Sequence, residues 1–124
     1  MKKIKPKPSG SKLHAHRISE LMLDKKALDI KIIDVKNITT LTDFFVICTS
    51  ESEPQSRAIT DHINKTMKKE GYTSWHTEGY QHLDWVLVDF VNIVVHIFSK
   101  KTREYYDFER LWADGNITVV QDDE

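Results

Sequence analysis

Apolar side chains recur every three to four residues in three segments of the chain, and this spacing predicts three helices. The first helix is predicted over residues 14–28, the second from Ser52 to Gly71, and the third over 100–112. Their apolar stripes consist of Ile18, Leu21, Met22 and Leu28, of Ala58, Ile59, Ile63 and Met67, and of Tyr105, Phe108, Leu111 and Trp112.

The ends of the later helices carry recognisable signals. Ser52 can cap the second helix, with Pro54 in its first turn and Gln55 completing a capping box. Gly71 is a natural terminator because glycine adopts positive φ without steric cost. Ser99 is the predicted cap of the third helix, and Gly115 is predicted to follow its end.

Runs rich in β-branched and aromatic residues predict the strands. Five runs qualify: 30–35, 44–49, 75–78, 85–90 and 93–98, while 117–120 is a candidate short edge strand. The run over 44–49 is almost continuously apolar, as in a central strand covered on both faces. The order of elements predicts a single α/β domain with a mixed five-stranded sheet flanked by helices.

The segment over 75–98 differs from the rest in its charge. It contains no lysine or arginine, although the chain has 18 of them against 19 acids. Its acids lie among large aromatic residues: the acids are Glu78, Asp84 and Asp89, and the aromatics include Trp75, Tyr80, Trp85 and Phe90. Such a surface suits contact with a basic protein and would repel phosphates.

Length and charge limit the possible domain organisation and the possible classes of partner. The 124 residues suffice for one domain, and a net charge of −1 recommends neither nucleic acid nor membrane as a partner. We expect a disordered basic arm over 1–12, one domain over 13–120 and an acidic tail over 121–124. Without an apolar run of membrane-spanning length or a secretory signal, a cytoplasmic protein is expected.

The sequence offers little for catalysis or metal binding. The six histidines lack the ligand spacings of zinc sites, and Cys48, the single cysteine, lies in an apolar run typical of a buried strand. His96 is expected to be a core histidine that bonds a neighbour's backbone. Asp84 and Asp89 are five residues apart on one strand, so they cannot share a magnesium ion. We therefore predict no catalytic residue, metal or cofactor.

A binding surface is the remaining candidate. It would consist of Trp85, Asp84, Glu78, Tyr80 and Asp89, because tryptophan and tyrosine contribute much of the energy at protein interfaces. The pattern leaves open whether Trp85 contacts a partner or packs in the core. Trp75 and Trp112 are assigned to the core.

An ordered set of short motifs resembles the Iojap family of ribosomal silencing factors. The motifs are TDFFVICTS (42–50), SRAITDHI (56–63), EGY (78–80), DWVLVDF (84–90), VVHIF (94–98) and REYYDFERLW (103–112). Two stretches depart from the family pattern. Val91-Asn92 replaces the usual Gly-Asp turn, and valine resists positive φ, so a tight turn there would need Asn92 to absorb the strain. SESEPQ replaces a smaller loop after the second strand.

The resemblance implies a nucleotidyltransferase-like shape without catalytic carboxylates and a role that is not enzymatic. It implies binding to the large ribosomal subunit through large-subunit protein fourteen, which blocks joining of the small subunit and represses translation. Trp85, with Asp84 before it, belongs to the surface that the resemblance assigns to this contact. The sequence leaves the oligomeric state of the free protein open, with a homodimer as one candidate, since an exposed aromatic patch can pair with itself.

Two alternatives stay open from the residues alone. One is an enzyme that handles nucleotides or RNA on a nucleotidyltransferase-like scaffold. The other is an RNA-binding ribosome assembly factor that contacts ribosomal RNA through its lysine-rich arm, whose affinity would fall steeply with salt.

Overall fold

The computed structural model describes residues 10–121, which form one α/β unit around a six-stranded sheet. The elements are α1 (Gly10–Asp24), β1 (Leu28–Asp34), β2 (Phe44–Ser50), α2 (Glu53–Lys69), β3 (His76–Glu78), β4 (Trp85–Asp89), β5 (Ile93–Ser99), α3 (Lys100–Tyr106), α4 (Phe108–Leu111) and β6 (Asn116–Val120).

The sheet has the strand order β3-β4-β5-β2-β1-β6. The central pair β2 and β5 is parallel, whereas the other neighbours are antiparallel. The predicted α/β class and mixed sheet are therefore confirmed. The sixth strand is the candidate edge strand, which pairs with β1 from Asn116 to Val120 and begins one residue earlier than expected.

The main core lies between the sheet and the two long helices. All seven residues of β2 are buried, as its continuous apolar run predicts. Ile18 and Met22 of α1 and Ile63 and Met67 of α2 have no exposed surface and pack against this side of the sheet. We call the side of the sheet against which α1 and α2 pack the helical face.

The predicted Ser52 cap of α2 is confirmed, but the side chain of Gln55 bonds the residue before the cap and not Ser52 itself as a capping box requires. The N–H of Gln55 donates to Oγ of Ser52 at 3.1 Å, and Oε1 of Gln55 accepts from the N–H of Glu51 at 2.6 Å. The first bond satisfies a backbone donor that the first turn of a helix leaves without an intrahelical partner, and the second ties the residue before the cap to that turn. Gly71 follows the helix with φ of 89°, as predicted.

The first helix lies further towards the N-terminus than its apolar stripe predicts. It begins at Gly10, so the last three residues of the predicted arm over 1–12 are helical, and residues 1–9 lie outside the described part. It ends at Asp24 because the chain turns at Lys26, which has φ of 66°. Leu28, assigned to the helix from sequence, instead starts β1 and is exposed.

The predicted third helix is broken into α3 and α4 at Asp107, which adopts a left-handed conformation with φ of 49°. The break places the predicted apolar stripe on two different sides. Phe108 is buried and Trp112 packs against it, whereas Tyr105 and Leu111 are exposed. A regular helical spacing in sequence could not reveal this change of direction.

A buried arginine fastens this broken helix to the second face of the sheet. Nη1 of Arg103 donates to the carbonyl of Asp29 at 2.7 Å and to Oγ1 of Thr49 at 2.8 Å. Its other nitrogens donate to the carboxylate of Glu109, which also pairs with Lys31 at 3.0 Å. The two cations lower the pKa of Glu109 to about 2.

The turn between β4 and β5 differs from the expectation. Val91 itself adopts positive φ, at 75°, instead of leaving the strain to Asn92. The N–H of Asn92 donates to the carbonyl of Phe90 at 2.9 Å, and Oδ1 of Asp89 accepts from the N–H of Val91 at 2.7 Å. These bonds hold valine in a region that glycine would occupy at lower cost.

Gly79 provides a test of the close packing next to β4. It has φ of 80°, and a Cβ at this position would overlap the carbonyl oxygen of Trp85. Gly71 also has positive φ, but nothing lies within 4 Å of its added Cβ.

We expect Gly71→Ala to lower the free energy of unfolding by about 1 kcal/mol, and Gly79→Ala to lower it by clearly more. Urea unfolding compares them, and equal losses would contradict the close approach.

Candidate partner-binding surface

Alternation along β4 divides its side chains between the two faces of the sheet. Val86 and Val88 have no exposed surface and belong to the core under the helices. Trp85, Leu87 and Asp89 alternate with them and are each partly exposed. Because successive strand residues point to opposite faces, these three side chains lie on the face that α1 and α2 do not cover.

Neighbouring strands place further predicted residues on the same side. Glu78 of β3 is paired with Leu87, and Asp89 is paired with Val94 of β5. Residues directly opposite each other in a sheet share a face. We call the surface formed by Glu78, Trp85, Leu87, Asp89 and Val94 the open face.

The helices α3 and α4 cover only one corner of the open face, where Tyr106 of α3 packs against Trp85 with ring centroids 5.0 Å apart. Phe108 of α4 packs with Ile33, Phe45 and Phe98, which belong to β1, β2 and β5. The rest of the open face lies on β3, β4 and the start of β5, towards the β3 edge of the sheet. It includes Glu78 and Asp89 but no lysine or arginine, because 75–98 contains neither residue type.

Trp85 belongs to the core and to the surface at once. Its Nε1–H donates to Nδ1 of His96 at 2.9 Å, and its ring lies 5.0 Å from those of Phe98 and Tyr106. The other side of the residue borders a hollow of about 300 Å³, shared with Glu78 and Leu87. The core reading of Trp85 is therefore confirmed for most of its ring, and the partly exposed remainder keeps the partner contact as a proposal.

His96 holds the indole in place as a neutral acceptor. Burial lowers the pKa of His96 to about 3, so the ring is uncharged near neutral pH and can accept at Nδ1. The expected bond to a neighbour's backbone is wrong, because the partner is the side chain of Trp85. Within the described residues Nε2 of His96 is buried without a hydrogen-bond partner.

Two of the five predicted site residues lie away from the open face. The hydroxyl of Tyr80 donates to Asp61 of α2 at 2.9 Å, which turns the ring towards the helical face. Asp84 is exposed and borders a crevice with Ser52 and Ser56 at the start of α2. Glu78, Trp85 and Asp89 are thus brought together, and Asp84 and Tyr80 are not part of that group.

Trp75 was assigned to the core from sequence, and this assignment is wrong. Its side chain is 70% exposed beside the edge strand β3. The residue precedes a strand of only three residues at the edge of the sheet. The polar residues Thr73 and Ser74 directly before it are the one sequence signal that could have indicated an exposed position.

The described part of the chain offers neither a metal-ligand cluster nor a reactive thiol. Residues 10–121 contain no group of three or more histidine, cysteine, aspartate or glutamate side chains placed to hold a metal ion. Cys48 is buried as predicted, and burial raises the pKa of its thiol to about 12. A thiol with so high a pKa supplies almost no nucleophilic thiolate near neutral pH. No helix within residues 10–121 has the length and apolar character needed to span a membrane.

The fold and this surface define a small α/β domain whose distinctive feature is an exposed aromatic and acidic face. Residues 8–124 match the family model described as "Ribosomal silencing factor during starvation". The chain belongs to this family, as the resemblance in the sequence predicted.

Individual relatives agree with the family match. The chain is 41% identical over 98 residues to ribosomal silencing factor RsfS of Halalkalibacterium halodurans, covering 79% of this chain and 84% of the relative. It is 40% identical over 94 residues to RsfS of Bacillus subtilis, covering 76% and 80%. The crystal structure of protein CV0518 from Chromobacterium violaceum superposes with a TM-score of 0.81 at 28% identity, covering 90% of this chain and 92% of the other.

The buried histidine predicts a specific pH dependence. The pKa of His96 is about 3 in the folded protein, against 6.5 for an unperturbed histidine, so the unfolded chain binds this proton more readily. The stability that depends on a neutral His96 is fully present above pH 6.5 and decreases as pH falls towards 3. We expect the free energy of unfolding to drop between pH 6.5 and 5, before most carboxylates titrate. His96→Asn, which keeps an acceptor for Trp85, should reduce the change of the free energy of unfolding with pH, measured by urea unfolding at a series of pH values. An unchanged pH dependence would mean that titratable groups other than His96 cause it.

Proposed function

We propose that this protein is a non-enzymatic translational repressor of the cytoplasm. It binds the large ribosomal subunit through large-subunit protein fourteen and thereby blocks joining of the small subunit. Membership of the ribosomal silencing factor family supports the ribosome as target. The observation that carries the proposal is the shared position of Glu78, Trp85 and Asp89 on the partly exposed side of the sheet that α1 and α2 do not cover.

The chemistry of the open face favours a protein partner over RNA. Glu78 and Asp89 would repel phosphate groups, whereas ribosomal proteins are generally basic and offer lysine and arginine as counter-charges. A standard protein interface buries about 800 Å² on each partner, which one side of a 124-residue domain can supply. These properties support a docking surface on ribosomal protein rather than an RNA-handling site.

Repression then follows from steric exclusion alone. A rigid domain seated where the small subunit must dock excludes that subunit without any chemical step or conformational signal. The exposed acids would mainly speed the encounter with a basic partner, and the aromatic and aliphatic residues would set the lifetime of the complex. The same face offers a surface to a second copy of the chain when ribosomes are absent.

Charge reversal tests the orientation of the proposed contact. We expect Glu78→Lys to slow association with isolated large subunits several-fold at low ionic strength, with a smaller effect in high salt because screening weakens long-range attraction. Asp84→Lys should slow it less, since Asp84 is exposed directly before Trp85 but lies away from the open face. The measurement is stopped-flow binding at two salt concentrations.

Glu20→Lys is the matched control for these variants. Glu20 is exposed on α1, which covers the helical face, and it carries the same charge change. An equal slowing by Glu20→Lys would show that net charge alone matters, and unchanged rates for Glu78→Lys and Asp84→Lys would place the contact elsewhere.

The order of addition tests the steric mechanism itself. Protein added to large subunits before small subunits should lower the yield of joined ribosomes in proportion to its occupancy. The same amount added to ribosomes that have already joined should have little effect until they dissociate, because the binding site is then covered. Light scattering follows both reactions, and equal inhibition in both orders would argue against steric exclusion.

A further inference from the structure

The open face continues into an apolar hollow at its other end. This hollow has a volume of about 510 Å³ and is lined by Leu41, Phe45, Trp75, Val91 and Val94 among others. Its size falls in the range of about 300–1,000 Å³ that is typical of ligand pockets. Val94 belongs to both the hollow and the open face, so the two surfaces are continuous.

Three large apolar side chains around the hollow are strongly exposed. Leu41 is 80% exposed, Trp75 70% and Val91 57%. Single exposed apolar residues are ordinary on protein surfaces, but a contiguous group of them marks an interaction site. These three come from separate segments of the chain, namely the loop before β2, the start of β3 and the turn before β5.

Val91 is held in this place against its own conformational preference. A β-branched residue at φ of 75° is strained, and glycine would be more stable there. Packing within the protein does not offset this strain, because more than half of the side chain is exposed. Strained residues of this kind tend to lie at ligand-binding sites.

The border of the hollow is anionic. Asp89 lines it, and one oxygen of its carboxylate braces the N–H of Val91. Among residues 10–121 Asp89 forms no ion pair, and no lysine or arginine occurs over 75–98. The hollow therefore combines an apolar interior with an uncompensated negative charge at its edge.

We propose that this hollow is a second anchor site of the ribosome-binding surface, distinct from Trp85. It takes an apolar side chain of a ribosomal protein, with an adjacent lysine or arginine of that protein pairing with Asp89. This inference rests on the proposed function, since it assigns the chemistry of a contact on the same partner. Apolar contact with Leu41, Trp75 and Val91 slows dissociation of the complex, and the ion pair with Asp89 fixes its orientation.

The test uses the opposite effects of one substitution on folding and on binding. Val91→Gly relieves backbone strain and removes the isopropyl group, so we expect a higher thermal midpoint together with an at least fivefold weaker Kd for isolated large subunits. Leu41→Ser, in an exposed loop, should weaken binding by a similar factor with little change in the midpoint. Fluorescence-detected titration and thermal unfolding of the full chain give both quantities.

Val119→Gly is the matched control. Val119 is 56% exposed, nearly as much as Val91, but it lies on the edge strand β6 at the opposite end of the sheet. Its replacement by glycine should lower the thermal midpoint, because glycine weakens strands, and leave Kd for large subunits unchanged. If these residues had only a structural role, Kd for large subunits would weaken only in those variants whose thermal midpoint falls. That result would overturn the proposal.

The remaining outcomes separate this inference from the function on which it rests. If the wild-type chain does not bind large subunits, the proposed function is wrong and the second anchor falls with it. If the wild type binds and both Val91→Gly and Leu41→Ser bind equally well, only the second anchor is wrong. If these variants weaken self-association in sedimentation velocity but not ribosome binding, the occupant is a second copy and the proposal is overturned.

Discussion

The buried guanidinium of Arg103 determines which part of the sheet remains available for a partner. It joins the carbonyl of Asp29, the hydroxyl of Thr49 and the carboxylate of Glu109, and so ties α3 and α4 to β1 and β2. A buried charge is costly unless its hydrogen bonds are satisfied, so this arrangement tolerates little displacement. The two short helices touch Trp85 but cannot move further over β3 and β4, so Glu78, Leu87 and Asp89 of those strands stay accessible.

Trp85 connects this exposed region with the core. Its indole N–H is bound to His96, which in turn lies against Phe108 with ring centroids 4.4 Å apart. Removing the indole would therefore leave a buried acceptor without a donor and open a gap beside Phe98. For this reason the loss of Trp85 combines a folding effect with any binding effect, and exposed residues around it report on the interface more directly.

Local signals in the sequence were sufficient for much of the fold. The Ser52 cap, the positive φ of Gly71 and the continuous burial of β2 depend on interactions within a few residues or on simple apolar content. The break at Asp107 depends instead on contacts between Arg103 and residues far away in sequence. The exposure of Trp75 has a similar cause, because only the strand order reveals that β3 forms an edge of the sheet.

The candidate site was predictable in composition but not in arrangement. The absence of lysine and arginine over 75–98 indicated an acidic aromatic surface, yet the alternation of β4 alone could not assign Tyr80 and Asp84. Tyr80 lies in the loop after β3, and its direction follows from the hydroxyl bond to Asp61 on α2. Residues within strands inherit their face from the pleat, whereas loop residues take theirs from tertiary contacts.

Rigidity would give this arrangement a physical advantage under the proposed mechanism of steric exclusion. Binding costs less when surface side chains are already ordered, because less conformational entropy is lost in the complex. Here Asp89 braces the turn at Val91, Gly79 allows close packing against the backbone of Trp85, and His96 fixes the indole. A flexible face of the same composition would bind more weakly and would yield to an arriving subunit. A steric repressor therefore needs these internal constraints as much as it needs the exposed residues themselves.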